Sequence, residues 1–317
     1  MRPTRRGPMT QPDRVPVDRR ALAAALVTVV LWASAFVGLR AASADLSAGS
    51  LALGRLAVGS ISLGVLILAR GFVRPSRRDL VLVVASGLLW FAFYNVALNA
   101  AEQNVDAGTA SMLTNLGPIL IAIFAGLFLH EGFPPRLSAG IAIAFLGTLI
   151  IGFASSSSPV PGGNAQLGIL LCIAAATAYA GGVTLQKPAL RALPAAQVTW
   201  MACATGAIAC LPFLPSLAAD LGGAQPASVA WMVYLGLFPT AVGFTTWAFA
   251  LSRSSAGRLG STTYLVPPVV IGMAWLLLGE VPPALAIAGG ALCIGGVIVA
   301  RSRGTLPWRR RALAVGE

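Results

Sequence analysis

One arginine, three asparagines and a set of aromatic side chains fall inside runs that are otherwise apolar. These are the groups that could act on a solute. Arg55 is the only formal charge well inside such a run. A charge at that depth marks function by default. It can hold a substrate carboxylate, or reach outward along its own stem, since about seven residues, roughly 10 Å, separate it from the end of its run. Asp45 is an acid available to pair with it. Asn95, Asn99 and Asn115 are uncharged polar groups in the same kind of setting. An unpaired amide in hydrocarbon costs several kcal/mol, so each must face protein, water or solute. Asn95 and Asn99, four apart, share a helix face. Trp32, Tyr94, Tyr179, Trp247 and Tyr264, with Ser34, Thr246 and Thr263, complete a candidate lining of ring faces and small polar tips. Each also has a plainer reading. Amides bridge helices, rings pack, and hydroxyls bond back to their own helix.

Pro118 and Pro267 lie within apolar runs, where a missing N–H bends a helix, so they are candidate hinges. Glu131 and Glu280 end equivalent runs and are expected to tie helix ends together. Nothing in the chain suggests catalysis. There is no GxSxG or HExxH, no paired carboxylate within a run, and one histidine, His130. Cys172, Cys203, Cys210 and Cys293 all sit in apolar runs without a CxxC pair, so neither metal, cofactor nor disulfide framework is indicated.

The elements that carry these residues follow from composition. Of 317 residues, 57% are hydrophobic and 10% charged, and mean hydropathy is +0.82. Such a surplus needs the bilayer as solvent. Apolar runs near 21–39, 49–69, 80–99, 107–129, 137–154, 166–186, 197–217, 228–251, 256–278 and 283–300 each reach spanning length. In lipid they must be helices. Ten spans put both termini on one side, and 20 of the 22 basic residues gather there, which places both ends in the cytoplasm. The net charge of +12 thus reflects topology rather than nucleic-acid binding. Arg19-Arg20 ahead of the first run resembles a twin-arginine signal, but that run is too long for one and has a counterpart later in the chain.

That counterpart belongs to an internal repeat. Ala107-Gly108 to Glu131 aligns with Ala256-Gly257 to Glu280 at an offset of 149, matching Pro118 to Pro267, Gly140 to Gly289 and Gly147 to Gly296. The first runs align at 147, matching Trp32 to Tyr179 and Arg40 to Lys187. Five spans per copy is odd, so the second copy must insert upside down, and inverted repeats place a solute site at their interface. The expected organisation is a basic tail over 1–20, one repeat over 21–154, a linker over 155–165, a second repeat over 166–301 and a basic tail over 302–317. Gly140, Ala144, Gly147, Ala291 and Gly295 supply small side chains for close helix contact, within one chain or between two copies, so a monomer or homodimer is expected.

With these residues in view, the chain resembles the drug/metabolite transporter superfamily, in particular its EamA-type ten-helix exporters. The resemblance rests on Trp32-Ala33-Ser34-Ala35-Phe36, on Arg55, and on the pattern from Ala110 through Leu116 and Pro118 to Leu127-Phe128-Leu129 and Glu131. The second copy ends Leu276-Leu277-Leu278-Gly279-Glu280. It implies an all-α integral membrane protein with a central cavity that exports small metabolites, often amino acids. A sugar-nucleotide or phosphate-ester antiporter is the alternative within the superfamily, and an integral-membrane enzyme the alternative outside it. The expected partners are a small-molecule substrate and the lipid bilayer.

Overall fold

The computed structural model describes residues 18–43, 45–102, 104, 113–155, 163–278 and 284–302. Among them every regular element is helical. Helices α1 (Arg19–Ala42) and α2 (Ala48–Arg70) are continuous. A third span starts as α3 (Arg77–Ser86), widens into a π-helical segment over Gly87–Phe93, and continues as α4 (Tyr94–Glu102). Then come α5 (Gly117–Phe128), α6 (Pro135–Ser155) and α7 (Ala165–Ala189). Helices α8 (Ala195–Ala209) and α9 (Leu214–Gly223) follow. The next span repeats the earlier device: α10 (Pro226–Leu235), a π-helical segment over Gly236–Gly243, then α11 (Phe244–Arg253). Helices α12 (Ala256–Thr262), α13 (Val266–Leu278) and α14 (Ala284–Arg301) close the fold.

Local chemistry sets several starts. Asp18 Oδ1 accepts from the Arg20 and Ala21 N–H groups at 2.9 and 3.2 Å. Ser76 accepts from Asp79 N at 3.1 Å and Asn164 from Leu167 N at 3.1 Å. Each cap satisfies N–H groups that the first turn leaves without partners. The outer surface is apolar, with Leu68, Phe153 and Ile61 at 87%, 72% and 69% exposure, as a lipid-facing surface requires. Among the described residues, four stretches are long and apolar enough to cross a bilayer: Ala48–Arg70, Arg77–Ala101, Ala165–Ala189 and Pro226–Arg253. A fifth is the pair Ala195–Ala209 and Leu211–Gly223, bent by 51°. The run expected as one straight segment over 197–217 is therefore broken, where Pro212 and Pro215 follow Cys210.

The two copies interlock around a twofold relation. Helices α6 and α14 touch through backbone. A Cβ on Gly140 would lie 2.5 Å from the Gly296 carbonyl oxygen, and one on Gly296 2.6 Å from that of Gly140. Gly147 and Gly289 mirror this at 2.6 and 2.7 Å. Equivalent helices thus run antiparallel, so the repeats are inverted. These glycines serve close packing between the two halves of one chain. Equivalent residues also meet directly. Tyr264 donates to the Asn115 carbonyl at 3.1 Å, and Cys293 Sγ approaches the Ala144 carbonyl at 3.4 Å, each across 149 positions. Elsewhere the packing is reciprocal: α2 lies on the second π segment and α8 on the first, while α1 packs on α11 and α7 on α4.

Candidate functional site

The site starts from one close approach. Gly59 and Gly236 let α2 settle on the second π segment. A Cβ on Gly236 would stand 2.8 Å from the Arg55 carbonyl oxygen, and one on Gly59 would stand 2.9 Å from Thr240 Cγ2. At that separation the Arg55 side chain, 6% exposed, donates from Nε and Nη2 to Thr240 Oγ1 at 3.2 and 3.1 Å. Among the described residues no carboxylate lies within ion-pair distance of it. Asp45 is engaged elsewhere, accepting from Gln225 N at 3.1 Å and Ser228 Oγ at 2.6 Å.

Arg55 faces a cavity of about 120 Å³. At about 30 Å³ of liquid volume per water, that is room for on the order of four waters. Trp32, Trp90, Tyr94, Tyr179 and Phe244 form its aromatic wall, and Asn95, Asn99, Thr114, Asn115 and Thr263 its polar one. The rings hold one another edge-on and tilted: Trp32 to Trp90 at 6.0 Å and 86°, Trp90 to Tyr179 at 5.1 Å and 34°. Such contacts fix ring planes beyond what burial alone does. Asn95 is held by its own span, with Nδ2 donating to the carbonyls of Phe91 and Trp90 at 2.8 and 3.3 Å. Those acceptors lie in the π segment, a feature that recurs at functional sites.

The EamA-like transporter family matches the sequence twice, over residues 19–153 and 166–302. The chain belongs to that family. It is 37% identical over 300 residues to a probable terminal-alkyne amino-acid exporter of Streptantibioticus cattleyicolor, covering 94% of this chain and 98% of that one. It is 29% identical over 234 residues to a pseudopaline exporter of Pseudomonas aeruginosa, covering 72% and 78%. A solved crystal structure superposes with a TM-score of 0.73 at 22% identity, covering 89% of this chain and 96% of the other, which establishes a shared fold. The protein is therefore a multi-pass membrane protein of a transporter family.

In this EamA-like protein the cavity brings together Trp32, Arg55, Tyr94, Asn95, Asn115, Tyr179 and Thr263 from the sequence-derived set, with Pro118 beside them. Four others lie off its wall. Ser34 donates to the Leu31 carbonyl at 2.8 Å and meets Tyr234 Oη at 2.7 Å. Thr246 bonds back to Gly243 at 2.9 Å and meets Thr28 Oγ1 at 2.8 Å. Trp247, 1% exposed, stacks behind Trp32 at 5.0 Å. Tyr264, 0% exposed, is spent on the Asn115 carbonyl. Trp90, Phe244 and Thr240 were not singled out by sequence. Their orientation depends on the two π segments; the second holds Pro239, whose missing N–H interrupts the α pattern, while the first carries no proline.

Neither proline sits where a mid-helix kink needs it. Pro118 is in the first turn of α5, after a turn at Asn115-Leu116. Pro267 is in the first turn of α13, after a 3₁₀ turn at Thr263–Leu265. A first-turn proline forfeits no intrahelical bond, so each proline follows a turn that tightens just ahead of it.

Glu131 closes one end of the bundle, and Glu280 lies outside the described residues. The Glu131 carboxylate accepts from Ala256 N and Gly257 N at 2.9 and 3.3 Å. Lys187, ending α7, donates to the carbonyls of Leu251, at 2.9 Å, and Ser254. The two charges face each other at 3.8 Å with 16% exposure each. The corner between α11 and α12 is thus gripped from α5 and α7 at once, an anion on N–H groups and a cation on carbonyls.

Proposed function

We propose that this protein is a secondary transporter that exports small neutral or zwitterionic metabolites, amino acids, related compounds or drugs, by alternating access through the cavity between its inverted repeats. The observation that carries this reading is the cavity's closure at one end. Its walls approach the bundle surface at Leu39 and Asn99, each three residues from the end of its helix. At the other end, Tyr179 and Lys187 are separated by about 12 Å of helix, filled by side chains such as Trp247 and Leu251 at 1% and 0% exposure. A cavity closed by packed side chains and an ion pair at one end suits a carrier more than a channel. The exporters named among its relatives support the outward direction.

The same reading takes ten spans, an inner-membrane location and cytoplasmic termini, so the Glu131–Lys187 corner faces the cytoplasm. A monomer or homodimer satisfies it. Arg55 is the one cation among the cavity-lining residues, whereas a phosphate-ester or sugar-nucleotide substrate calls for several. No acid or nucleophile–base pair lines the cavity among the described residues, as an integral-membrane enzyme would need. The test is reconstitution of the full chain in proteoliposomes with a radiolabelled panel of amino acids, amines, nucleotide sugars and phosphate esters. At least one amino acid or neutral relative should exchange faster than in protein-free liposomes. A panel in which nothing moves, or only phosphate esters move, refutes the proposal.

A further inference from the structure

Three polar side chains on the cavity wall hold unused hydrogen-bonding capacity, donors on Arg55 and acceptors on Asn95 and Asn99. Arg55 has five N–H donors, of which Thr240 takes one from Nε and one from Nη2. Three donors are left on a fully charged fork. Asn95 and Asn99, 4% and 8% exposed, are arranged the other way. Each turns its amide N–H group to backbone carbonyls, Asn95 to Phe91 and Trp90, and Asn99 to Ala48 at 3.0 Å. A carbonyl accepts only from a donor, so these bonds fix both amides with Oδ1 pointing away from them. Among the described residues no donor reaches either oxygen, and neither oxygen is sealed in the protein without a partner.

The second repeat builds its equivalent contact without these groups. The first π segment packs on α8 as the second packs on α2. A Cβ on Gly87 would sit 2.7 Å from the Ala202 carbonyl oxygen, just as one on Gly236 would sit 2.8 Å from that of Arg55. Ala202 is therefore the counterpart of Arg55. At the offset of 149 that relates Gly87 to Gly236, Asn95 and Asn99 correspond to Phe244 and Ala248. The second repeat builds the same architecture with three apolar residues in these places.

We propose, building on the transporter reading above, that three polar side chains of the cavity divide the recognition of an α-amino acid between them. Arg55 takes the carboxylate, Oδ1 of Asn95 and Asn99 take the ammonium, and the aromatic wall of Trp32, Trp90 and Tyr179 takes the side chain. A planar guanidinium matches a carboxylate in a two-point bond. Two amide oxygens four residues apart on one face suit an ammonium, which only donates. An amine lacking the carboxylate leaves Arg55 unpaired, and an acid lacking the ammonium meets the two oxygens with nothing to donate.

The test measures binding to the purified full chain in nanodiscs by tryptophan fluorescence, since Trp32 and Trp90 line the cavity. The probes are L-phenylalanine, L-leucine and L-propargylglycine, each beside its decarboxylated amine and its deaminated acid. At least one amino acid should bind tenfold or more tighter than both of its relatives. Arg55→Gln should abolish the preference over the amine, and Arg55→Lys should restore part of it. Asn99→Ala should reduce the preference over the acid, and Asn95→Ala should do the same if the π segment survives, checked by an unchanged melting temperature. Amines or acids that bind as tightly as the amino acids overturn the assignment, as does Arg55→Gln with its preference intact. Transport of a solute lacking either group, unaffected by Arg55→Gln, sinks the amino-acid site and leaves the transporter reading standing. Absence of any transport sinks that reading instead.

Discussion

Replacing Lys187 by methionine removes the cation from the α11–α12 corner while keeping most of the side-chain volume. Lys187 donates to two carbonyls and faces Glu131 at 3.8 Å. Hydrogen bonds to charged groups contribute about 1.5–3 kcal/mol each. The pair is partly exposed, at 16% for each side chain, and water replaces part of what is lost, so we take about 3 kcal/mol for the whole corner. If the latch exists only in the state closed at this end, that amount shifts the balance toward opening by on the order of 100-fold. The reporter is Ala248→Cys, at 0% exposure one turn ahead of Leu251 on α11, in a chain whose native cysteines are replaced by alanine. An impermeant maleimide applied to inside-out vesicles should label it at least tenfold faster when Lys187 is methionine. Glu131→Gln keeps an oxygen for Ala256 N and should give a smaller rise. Unchanged labelling with a lowered melting temperature would show that the corner only holds the fold together, and the gating argument would fail.

Three further outcomes follow from particular contacts. Thr240→Val removes the partner of Arg55 Nε and Nη2, so apparent solute affinity in proteoliposomes should fall roughly tenfold, the low end of a charge-assisted bond; unchanged affinity would detach Arg55 from the solute. Gly147→Ala forces a Cβ to 2.6 Å from the Gly289 carbonyl oxygen and 2.7 Å from Cys293 N. Overpacking of this kind costs about 1–3 kcal/mol, so the melting temperature in detergent should drop, while Gly222→Ala, with nothing within 4 Å, should not lower it. Asp45→Ala takes the acceptor from Gln225 N and Ser228 Oγ and should cost about 1–2 kcal/mol, measured as a lower melting temperature; an unchanged value would mean water substitutes fully.

Much of this architecture was legible in residue order. The repeat offset of 149 paired Gly140 with Gly289 and Gly147 with Gly296 as equivalents, whereas the contacts are crossed, Gly140 on Gly296 and Gly147 on Gly289, and Gly295, also expected to pack closely, has nothing within 4 Å of where its Cβ would lie. Burial of the polar residues was less readable. Ser34 and Thr246 look like lining on a helical wheel, yet a hydroxyl can satisfy itself on its own helix, and both do. The π segments were less readable still. Each widens the spiral by a residue, turning everything after it by roughly 100° against an unbroken helix. That rotation decides which ring of Trp90, Tyr94, Phe244 and Trp247 reaches the cavity, and Pro239 in the second segment is the residue that could have pointed to it. Gly87 and Gly236 begin both segments, but their role is visible only once the helix they touch is known.

The partner chosen for Arg55 bears on how such a cavity can load and unload. A buried guanidinium facing a fixed carboxylate would be neutralised, and an incoming anion would then have to displace that acid at a cost of several kcal/mol. Thr240 holds the fork from the side without cancelling its charge. The empty cavity therefore keeps a positive centre with no acid beside it among the described residues, and in the proposed site a carboxylate would meet it with a two-point bond. On that proposal the solute displaces no resident acid, and it would not be held by a second fixed charge, which suits a carrier, since a solute held too tightly in one state cannot leave in the other. A resident acid at Thr240 would make the cavity selective against carboxylates, and Thr240→Asp should accordingly weaken binding of amino acids more than of their decarboxylated amines.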